Sequence, residues 1–236
     1  NLQILFSRDR AENILYKNDV AAFAENMDYI ESANCNYVII APAYMIYVQD
    51  YSEALESHIQ SGADISLMYH AVDDAKEHYL SCNILNLNRQ KGVESIEANR
   101  GTAKNRNIFM DTYIMKKELF MDLVKQARKL SSMYTLHDIV NSKCSELDVR
   151  AISHHGYFAS ITDFKSYYDA NMSLINFKTA EEVFQDEWPV YTRTNDSCPT
   201  RYFESATVKN SVVSNGCLIE GDLENSVIGR GCTIRK

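Results

Sequence analysis

The chain has 236 residues, 45% of them hydrophobic, 11% aromatic and 24% charged, enough to bury one full core and a smaller appendage. Twenty-four Lys and Arg against 32 Asp and Glu leave a net charge of −8, and no basic tract is longer than Lys116-Lys117, which excludes general affinity for nucleic acid. The longest uncharged stretch of the first half, residues 32–49, contains Asn34, Asn36, Pro42 and Gln49 and cannot serve as a membrane span.

In chain order, the opening Asn1-Leu2-Gln3-Ile4 carries neither an initiator Met nor a charged-then-apolar leader, so a missing upstream segment is expected. Asp19 is the expected cap of a helix whose apolar positions Ala21, Ala24, Met27, Ile30 and Ala33 recur at helical spacing. Residues 37–41 read as a buried strand, making with that helix the unit of a parallel sheet. The following segment, residues 41–47, reads as a strand-to-helix loop closed by aromatic packing, at the strand end where open α/β sheets hold ligands. A helix over 51–60 ends at Gly62, and Ile65, Leu67 and Tyr69 alternate as a half-buried strand does. Strands are predicted at 81–87, 93–97 and 108–115, helices at 117–130 and 136–143, and a short strand at 149–153. His154-His155 beside Gly156 reads as a surface loop. A helix from Asp163 to about 175 places Phe164, Tyr167, Tyr168 and Leu174 on its apolar side. The Asp73-Asp74 and Glu181-Glu182 pairs read as solvated surface, and the 15 Tyr residues as core positions with wet hydroxyls.

Composition changes after Trp188-Pro189, where Thr192, Thr194, Asn195, Asp196, Ser197 and Pro199 form an irregular connector. Beyond it the sequence repeats with a 15-residue period: Asn210, Ser211, Val212, Gly216, Cys217 and Ile219 recur as Asn225, Ser226, Val227, Gly231, Cys232 and Ile234. Short β-rich repeats of this kind stack as solenoid coils that need neighbours to cover them, so the solenoid is expected to continue beyond Lys236 or to pack on the first domain. The six cysteines form no CxxC pair and fit reduced thiols in a cytoplasm. No GxGxxG, GxxxxGK[ST], GxSxG or HExxH motif is present.

Several segments, taken together in order and spacing, resemble the bacterial glucose-1-phosphate adenylyltransferases, also called ADP-glucose pyrophosphorylases. They are Tyr37-Val-Ile-Ile-Ala with Ile46-Tyr-Val-Gln-Asp-Tyr51, Gly156-Tyr-Phe158 with Ala170-Asn-Met172, Trp188-Pro-Val-Tyr-Thr192, and Asn210-Ser-Val-Val-Ser-Asn-Gly-Cys217. The resemblance implies a nucleotidyltransferase-like α/β domain with a mixed or parallel sheet over residues 1–176, lacking its N-terminal part. A connector over 177–198 and the first coils of a left-handed parallel β-helix over 199–236 are implied to follow. The family joins ATP and glucose 1-phosphate into ADP-glucose and pyrophosphate, on the route to glycogen. Its glycine-rich nucleotide loop is expected upstream of Asn1.

The departures from the family pattern carry the functional expectation. The family holds Mg²⁺ with two aspartates, because charge developing on phosphates needs a dication bound by carboxylates. The first lies in a Gly-Asp-His-Ile-Tyr motif, matched here by Ala43-Tyr44-Met45-Ile46-Tyr47, so Tyr44 stands at the Asp position. The second lies in a Trp-x-Asp-[Val/Ile]-Gly motif, matched by Phe158-Ala159-Ser160-Ile161-Thr162, so Ser160 stands at the other. The sugar-phosphate Glu-Lys-Pro motif corresponds to Glu97-Ala98-Asn99, keeping Glu97 but placing Ala98 at the Lys, and a pocket Ser corresponds to Phe109. The scaffold with an emptied site resembles the non-catalytic subunit type that, in some Gram-positive bacteria, accompanies a catalytic subunit in a heterotetramer. No catalytic residue, metal or cofactor is then expected in this chain, Mg²⁺ being confined to the catalytic partner subunit, and the location is expected to be cytoplasmic. Two alternatives stand beside this reading: an active nucleotidyltransferase using Asp50, Asp111 or Asp163, and a sugar-phosphate or nucleotide sensor without turnover.

Overall fold

A computed structural model describes residues 3–5, 18–191 and 196–236; Asn1, Leu2, Thr192, Thr194 and Asn195 of the sequence reading lie outside the described residues. In chain order the first elements are helices α1 (Asp19–Glu25) and α2 (Met27–Ser32), strands β1 (Tyr37–Ile40) and β2 (Met45–Tyr47), and helix α3 (Tyr51–Ser61). Strands β3 (Ile65–Val72), β4 (Asn83–Leu87), β5 (Val93–Ala98) and β6 (Arg106–Lys116) follow, then helices α4 (Lys117–Leu130) and α5 (Leu136–Lys143) and strand β7 (Val149–His154). Strand β8 (Phe158–Ser160) and helices α6 (Phe164–Ser173) and α7 (Phe177–Val183) come next. Short strands complete the chain: β9 (Arg201–Tyr202), β10 (Thr207–Lys209), β11 (Val212–Val213), β12 (Leu218–Ile219), β13 (Asp222–Glu224), β14 (Val227–Ile228) and β15 (Thr233–Ile234). The fold class is mixed α/β. Contacts divide the chain into one unit of residues 1–43 and 49–155 and a second of residues 44–48 and 156–236, a partition that follows packing where the sequence reading followed composition.

The first unit is a six-stranded sheet in the order β5-β4-β6-β3-β7, with β1 also pairing with β6. Only β3 and β7 run parallel among its described strands; β1, β3 and β4 all run antiparallel to β6. This corrects the expectation for residues 37–41: β1 is a half-buried strand antiparallel to β6, with Tyr37 opposite Lys116, and not a fully buried parallel one. Ile65, Leu67 and Tyr69 of β3 face a core with Phe109, Tyr113 and Met115 of β6, covered by Phe120, Leu123 and Val124 of α4 and Leu136, Ile139 and Val140 of α5. The alternation in β3 suggested half-burial, yet Ser66 and Met68 on its other face are buried as well, and the Ser66 hydroxyl lies 2.8 Å from Nδ1 of His58 on α3. A central strand is covered on both faces, so its polar position survives by finding a partner.

Helix α1 is capped by Asn18, not Asp19: the Asn18 carboxamide oxygen accepts from the amide of Ala21 at 2.9 Å. Asp19 serves α5 instead, accepting from the amide of Leu136 at 3.1 Å across 117 positions of sequence. The helix then breaks at Asn26, which caps α2 without a side-chain bond. Helix α3 ends as expected at Gly62, whose φ of +67° is the left-handed conformation that glycine adopts without Cβ strain. Helix α5 opens on a capping box in which Thr135 and Asp138 satisfy each other's amides.

In the second unit, β2 and β8 form an antiparallel pair, so residues 41–47 hold a strand where a loop was expected. Helix α6 is capped by Asp163, but Phe164, Tyr167 and Tyr168 are 82%, 51% and 54% exposed; only Ala170 of the helix is buried. Of the four residues read as core-facing, these three face outward and Leu174 is half-buried, because helical spacing identifies a stripe and not which surface covers it. Helix α7 lies inside the stretch read as connector, with Val183 buried. The 15-residue repeat is realised as parallel pairing of residues 15 apart: Val208 with Leu223, Val212 with Val227, and Ile219 with Ile234. Cys217, Ile219 and Leu223 fill the interior. At the corners Asn210 and Asn225 both adopt positive φ, and the Asn210 amide donates to the Asn225 carboxamide oxygen. The repeat was conspicuous in sequence because each coil must present the same residue at the same corner.

The capping box generates a pH-dependent expectation. Burial works to raise the Asp138 carboxyl, but bonds from the Thr135 hydroxyl and amide, with His137 nearby, outweigh it and leave the group below its usual value. A depressed carboxyl stabilises above the unfolded value and loses that contribution as pH falls through the folded one. Asp138→Asn is expected to cost about 1 kcal/mol at pH 7, the usual worth of a cap. In urea denaturation followed by far-UV circular dichroism, the gap between wild type and variant should close as pH falls below about 3.8.

Candidate functional site

The two positions where the sequence resemblance calls for metal-binding carboxylates both lie in the second unit, on segments whose strands pair. Strands β2 and β8 pair with Met45 opposite Ser160, and the amide of Ile161 donates to the Tyr44 carbonyl at 2.8 Å. Tyr44 lies just before β2 and one position out of register with Ser160, so the two backbones are adjacent, more than a hundred positions apart in sequence, while strand alternation assigns their side chains to opposite faces. Ser160 is 5% exposed and Tyr44 40% exposed. Next along the pair, the rings of Tyr47 and Phe158 lie 6.5 Å apart, adding an aromatic contact across the strands to the ladder's amides.

This arrangement does not fit a hard dication. Mg²⁺ takes carboxylate or phosphate oxygens at short range, and a neutral phenol and a buried neutral hydroxyl supply neither charge nor a convergent oxygen set. No group of three His, Cys, Asp or Glu that could hold a metal occurs among the described residues. The acids proposed as substitutes have other structural roles or settings. Asp50 caps α3 through the amide of Ser52 at 2.8 Å. Asp163 caps α6 through the amide of Ser166 at 2.7 Å, and that bond, with the Ser166 hydroxyl, holds its carboxyl below the usual range. Asp111 belongs to the other unit, at a bulge in the β3–β6 ladder with a φ of +44°.

The remaining positions lie in the first unit. Glu97 is exposed on β5, and one carboxylate oxygen accepts from the Ser95 hydroxyl at 3.0 Å; that hydroxyl accepts from the Asn86 amide at 2.9 Å. This relay borders an open cavity of about 580 Å³ whose lining also includes Glu94, Arg106 and Asn107. Arg106 donates from one terminal nitrogen to Thr102 at 3.0 Å, while its buried Nε has no hydrogen-bond partner among the described residues. Ala98 is exposed at the end of β5, opposite Asn83. Phe109 is fully buried and packs edge-on to Tyr113 at 5.1 Å, within the core and not on a cavity wall.

Two arrangements were missed by sequence reasoning. Asn99 is 3% exposed, and its amide donates to the carbonyls of Ala75, Tyr79 and His78 at 2.8, 3.0 and 3.3 Å, while its oxygen accepts from Gly101 at 3.1 Å. One side chain thus ties the 75–82 loop to the end of β5. The only available signal was an Asn directly before Arg-Gly, a common turn composition. The second concerns His154, expected in a surface loop: it is 3% exposed at the end of β7, with Nδ1 3.1 Å from Nδ1 of His70 on β3, and only His155 is exposed. Its partner lies 84 positions away, beyond any local pattern.

Residues 2–176 match the nucleotidyl transferase family. Among curated proteins, the chain is 25% identical over 214 residues to the glycogen biosynthesis protein GlgD of Bacillus subtilis (strain 168), covering 91% of this chain and 52% of that protein. It is 28% identical over 228 residues to the glucose-1-phosphate adenylyltransferase of Clostridium perfringens (strain 13 / Type A), with 94% and 56% covered. The enzyme of the same name from Bacillus thuringiensis (strain Al Hakam) is 26% identical over 226 residues, with 94% and 59% covered. The chain therefore spans little more than half the length of these relatives. No helix among the described residues is long and apolar enough to cross a membrane.

The Asn99 clamp predicts a specific weakness. Asn99→Leu leaves three carbonyls and one amide without their partner, and about 2–3 kcal/mol of stability should be lost. Hydrogen exchange should report the loss first as faster labelling of residues 75–82, while Glu97→Gln, on the exposed face of the same strand, should leave both readouts unchanged.

Proposed function

The chain belongs to the nucleotidyl transferase family, and from that premise we propose that it is a non-catalytic, regulatory subunit of an ADP-glucose pyrophosphorylase acting in glycogen biosynthesis. The single observation that carries this reading is the chemistry of residues 44 and 160 beside the paired strands β2 and β8, where Tyr and Ser stand at the two positions that the family pattern gives to carboxylates. Replacing one metal ligand weakens a site; replacing both leaves nothing for a hard dication to exchange its waters against. The names of the relatives, one a glycogen biosynthesis protein and two glucose-1-phosphate adenylyltransferases, support the pathway.

On this reading the chain acts through assembly. A subunit without turnover changes a partner's kinetics only if it binds two conformations of that partner unequally, and the coupling free energy is the difference. The stacked parallel strands of residues 201–234 on this reading belong to a left-handed parallel β-helix. The outward aromatic face of α6, with Phe164, Tyr167 and Tyr168, offers apolar area of the kind an assembly covers. The assembly is a heterotetramer with a catalytic subunit, in the cytoplasm, and any Mg²⁺ belongs to that partner.

A second reading, a sugar-phosphate or nucleotide sensor without turnover, is favoured by the cavity beside Glu97, because Arg106 lines it and a guanidinium pairs with phosphate oxygens. Titration calorimetry of the full-length protein with glucose 1-phosphate and with ATP separates the two: saturable heat abolished by Arg106→Gln supports the sensor, and no heat leaves assembly alone.

The decisive experiment is an ADP-glucose synthesis assay on the full-length natural protein, alone and mixed with the catalytic subunit of the same organism. The expected outcome is no product from the protein alone and a several-fold change in the partner's maximal rate or apparent substrate affinity in the mixture. Turnover by the protein alone, or a mixture whose kinetics equal those of the catalytic subunit, overturns the proposal.

A further inference from the structure

Strands β3 and β7 form the one parallel seam among the described strands of the first unit, and their register runs from Ile65 opposite Val149 to His70 opposite His154. The last step of the seam is a pair of imidazoles. Their Nδ1 atoms are 3.1 Å apart and their ring centroids 5.3 Å apart at an interplanar angle of 50°. His154 is 3% exposed and His70 half-buried. Two ring nitrogens at this distance need one hydrogen between them, so one ring donates and the other accepts. One added proton is tolerated, since a charged ring still donates to a neutral one. With both rings charged, both Nδ1 atoms carry hydrogen, and the bond becomes a contact between two donors and two like charges.

We propose that His70 and His154 form an acid-sensitive latch that ties the C-terminal ends of β3 and β7 together while at most one ring is charged and releases the end of β7 when both are. The neighbouring residue and turn suit that role. His155 adds a third imidazole directly beyond the seam. At Gly156 the chain passes into its second compact unit with a φ of +98° and no atom within 4 Å of where a Cβ would stand. A glycine with that freedom can take up the backbone change that release demands, where any other residue would start from a strained conformation.

The charged surroundings set the direction of the pH response. Burial lowers the His70 pKa from its ordinary 6.5 and the charges of His154 and His155 lower it further, while a hydrogen bond with the His154 backbone and the charge of Asp74 oppose them without reversing the shift. On the other flank of β3, strand β6 places Ile108 opposite His70 and Arg106 opposite Val72. A histidine whose folded pKa is depressed stabilises the protein fully above the unfolded value; the contribution fades as pH falls from about 6.5 through the folded value. His58 is shifted the same way by burial and Lys116, but it meets Ser66 further along β3, so its effect has to be separated by variant.

Hydrogen exchange of the whole chain, read by mass spectrometry at pH 7.5 and pH 5.5 and corrected for intrinsic rates, tests the latch. Residues 149–156 and 67–72 should exchange about tenfold faster at the lower pH, as local opening predicts, while the β4–β5 hairpin stays unchanged. In His154→Gln, whose side chain donates or accepts without charging, the acid response of these segments should vanish; in His58→Asn it should persist. An acid response retained in His154→Gln, or exchange at residues 149–156 that is the same at both pH values in the wild type, overturns the proposal. Should the variant fold poorly, histidine Cε1 shifts of the wild-type protein decide. Two coupled titrations with one well below 6.5 support the latch, and two independent titrations near that value refute it.

Discussion

Strand β6 is the element on which the first unit depends. Its 11 residues pair with β3 along one flank and with β4 and β1 in succession along the other, so three strands take their direction and height from one backbone. The side chains of β6 are correspondingly almost all buried from Ile108 to Met115. Phe109, Tyr113 and Met115 enter the core roofed by α4 and α5, while Thr112, buried among them, returns its hydroxyl to the Met110 carbonyl at 2.9 Å. A strand this constrained allows irregularity only where another need overrides pairing. The bulge at Asp111, with its left-handed φ, is the one place along the β3–β6 ladder where register shifts.

That constraint explains why some parts of the fold were legible in sequence and others were not. Helices α4 and α5 occupy the residues that periodicity assigned, because an apolar stripe marks α4 and a stripe with a capping box at its start marks α5. The coils were legible for a different reason: a corner that needs positive φ at Asn210 needs it again at Asn225, and the chain writes the requirement twice. Direction and coverage are not local properties. Nothing in Tyr37-Val38-Ile39-Ile40 specifies that β6 runs antiparallel to it, since the pairing is settled some 76 positions later by where Tyr113 to Lys116 lie. The same blindness reversed the face of α6, and it hid the His70–His154 pair.

The candidate site divides along the same line. At residues 44 and 160 the sequence alone says what stands there, a phenol and a hydroxyl, and neither carries the charge of a carboxylate whatever the backbone does. That β2 and β8 bring the two into one ladder was not readable, since residues 41–47 had been assigned to a loop and β8 is only three residues long. Phe109 shows the converse: its identity suggested a pocket wall made apolar, whereas its burial makes it part of the core. A substitution that fills a core and one that empties a site look alike in sequence and differ only in where the side chain lies.

Asn99 shows how a segment can be held in place by contacts that owe nothing to its neighbouring position. The segment Glu97-Ala98-Asn99 keeps its strand pairing with β4, and Asn99 holds the 75–82 loop through three carbonyls whether or not Ala98 contributes anything. Selection on folding therefore continues to act on this segment after any selection on phosphate binding ends, because a buried amide with four partners is costly to remove and an exposed Ala at the end of a strand is not. The same asymmetry holds at the β2–β8 ladder, where Tyr47 and Phe158 pack across the strands while Tyr44 stays partly exposed. An uncharged side chain at such exposed positions costs the fold little, so the architecture places few demands on the residues that would carry chemistry.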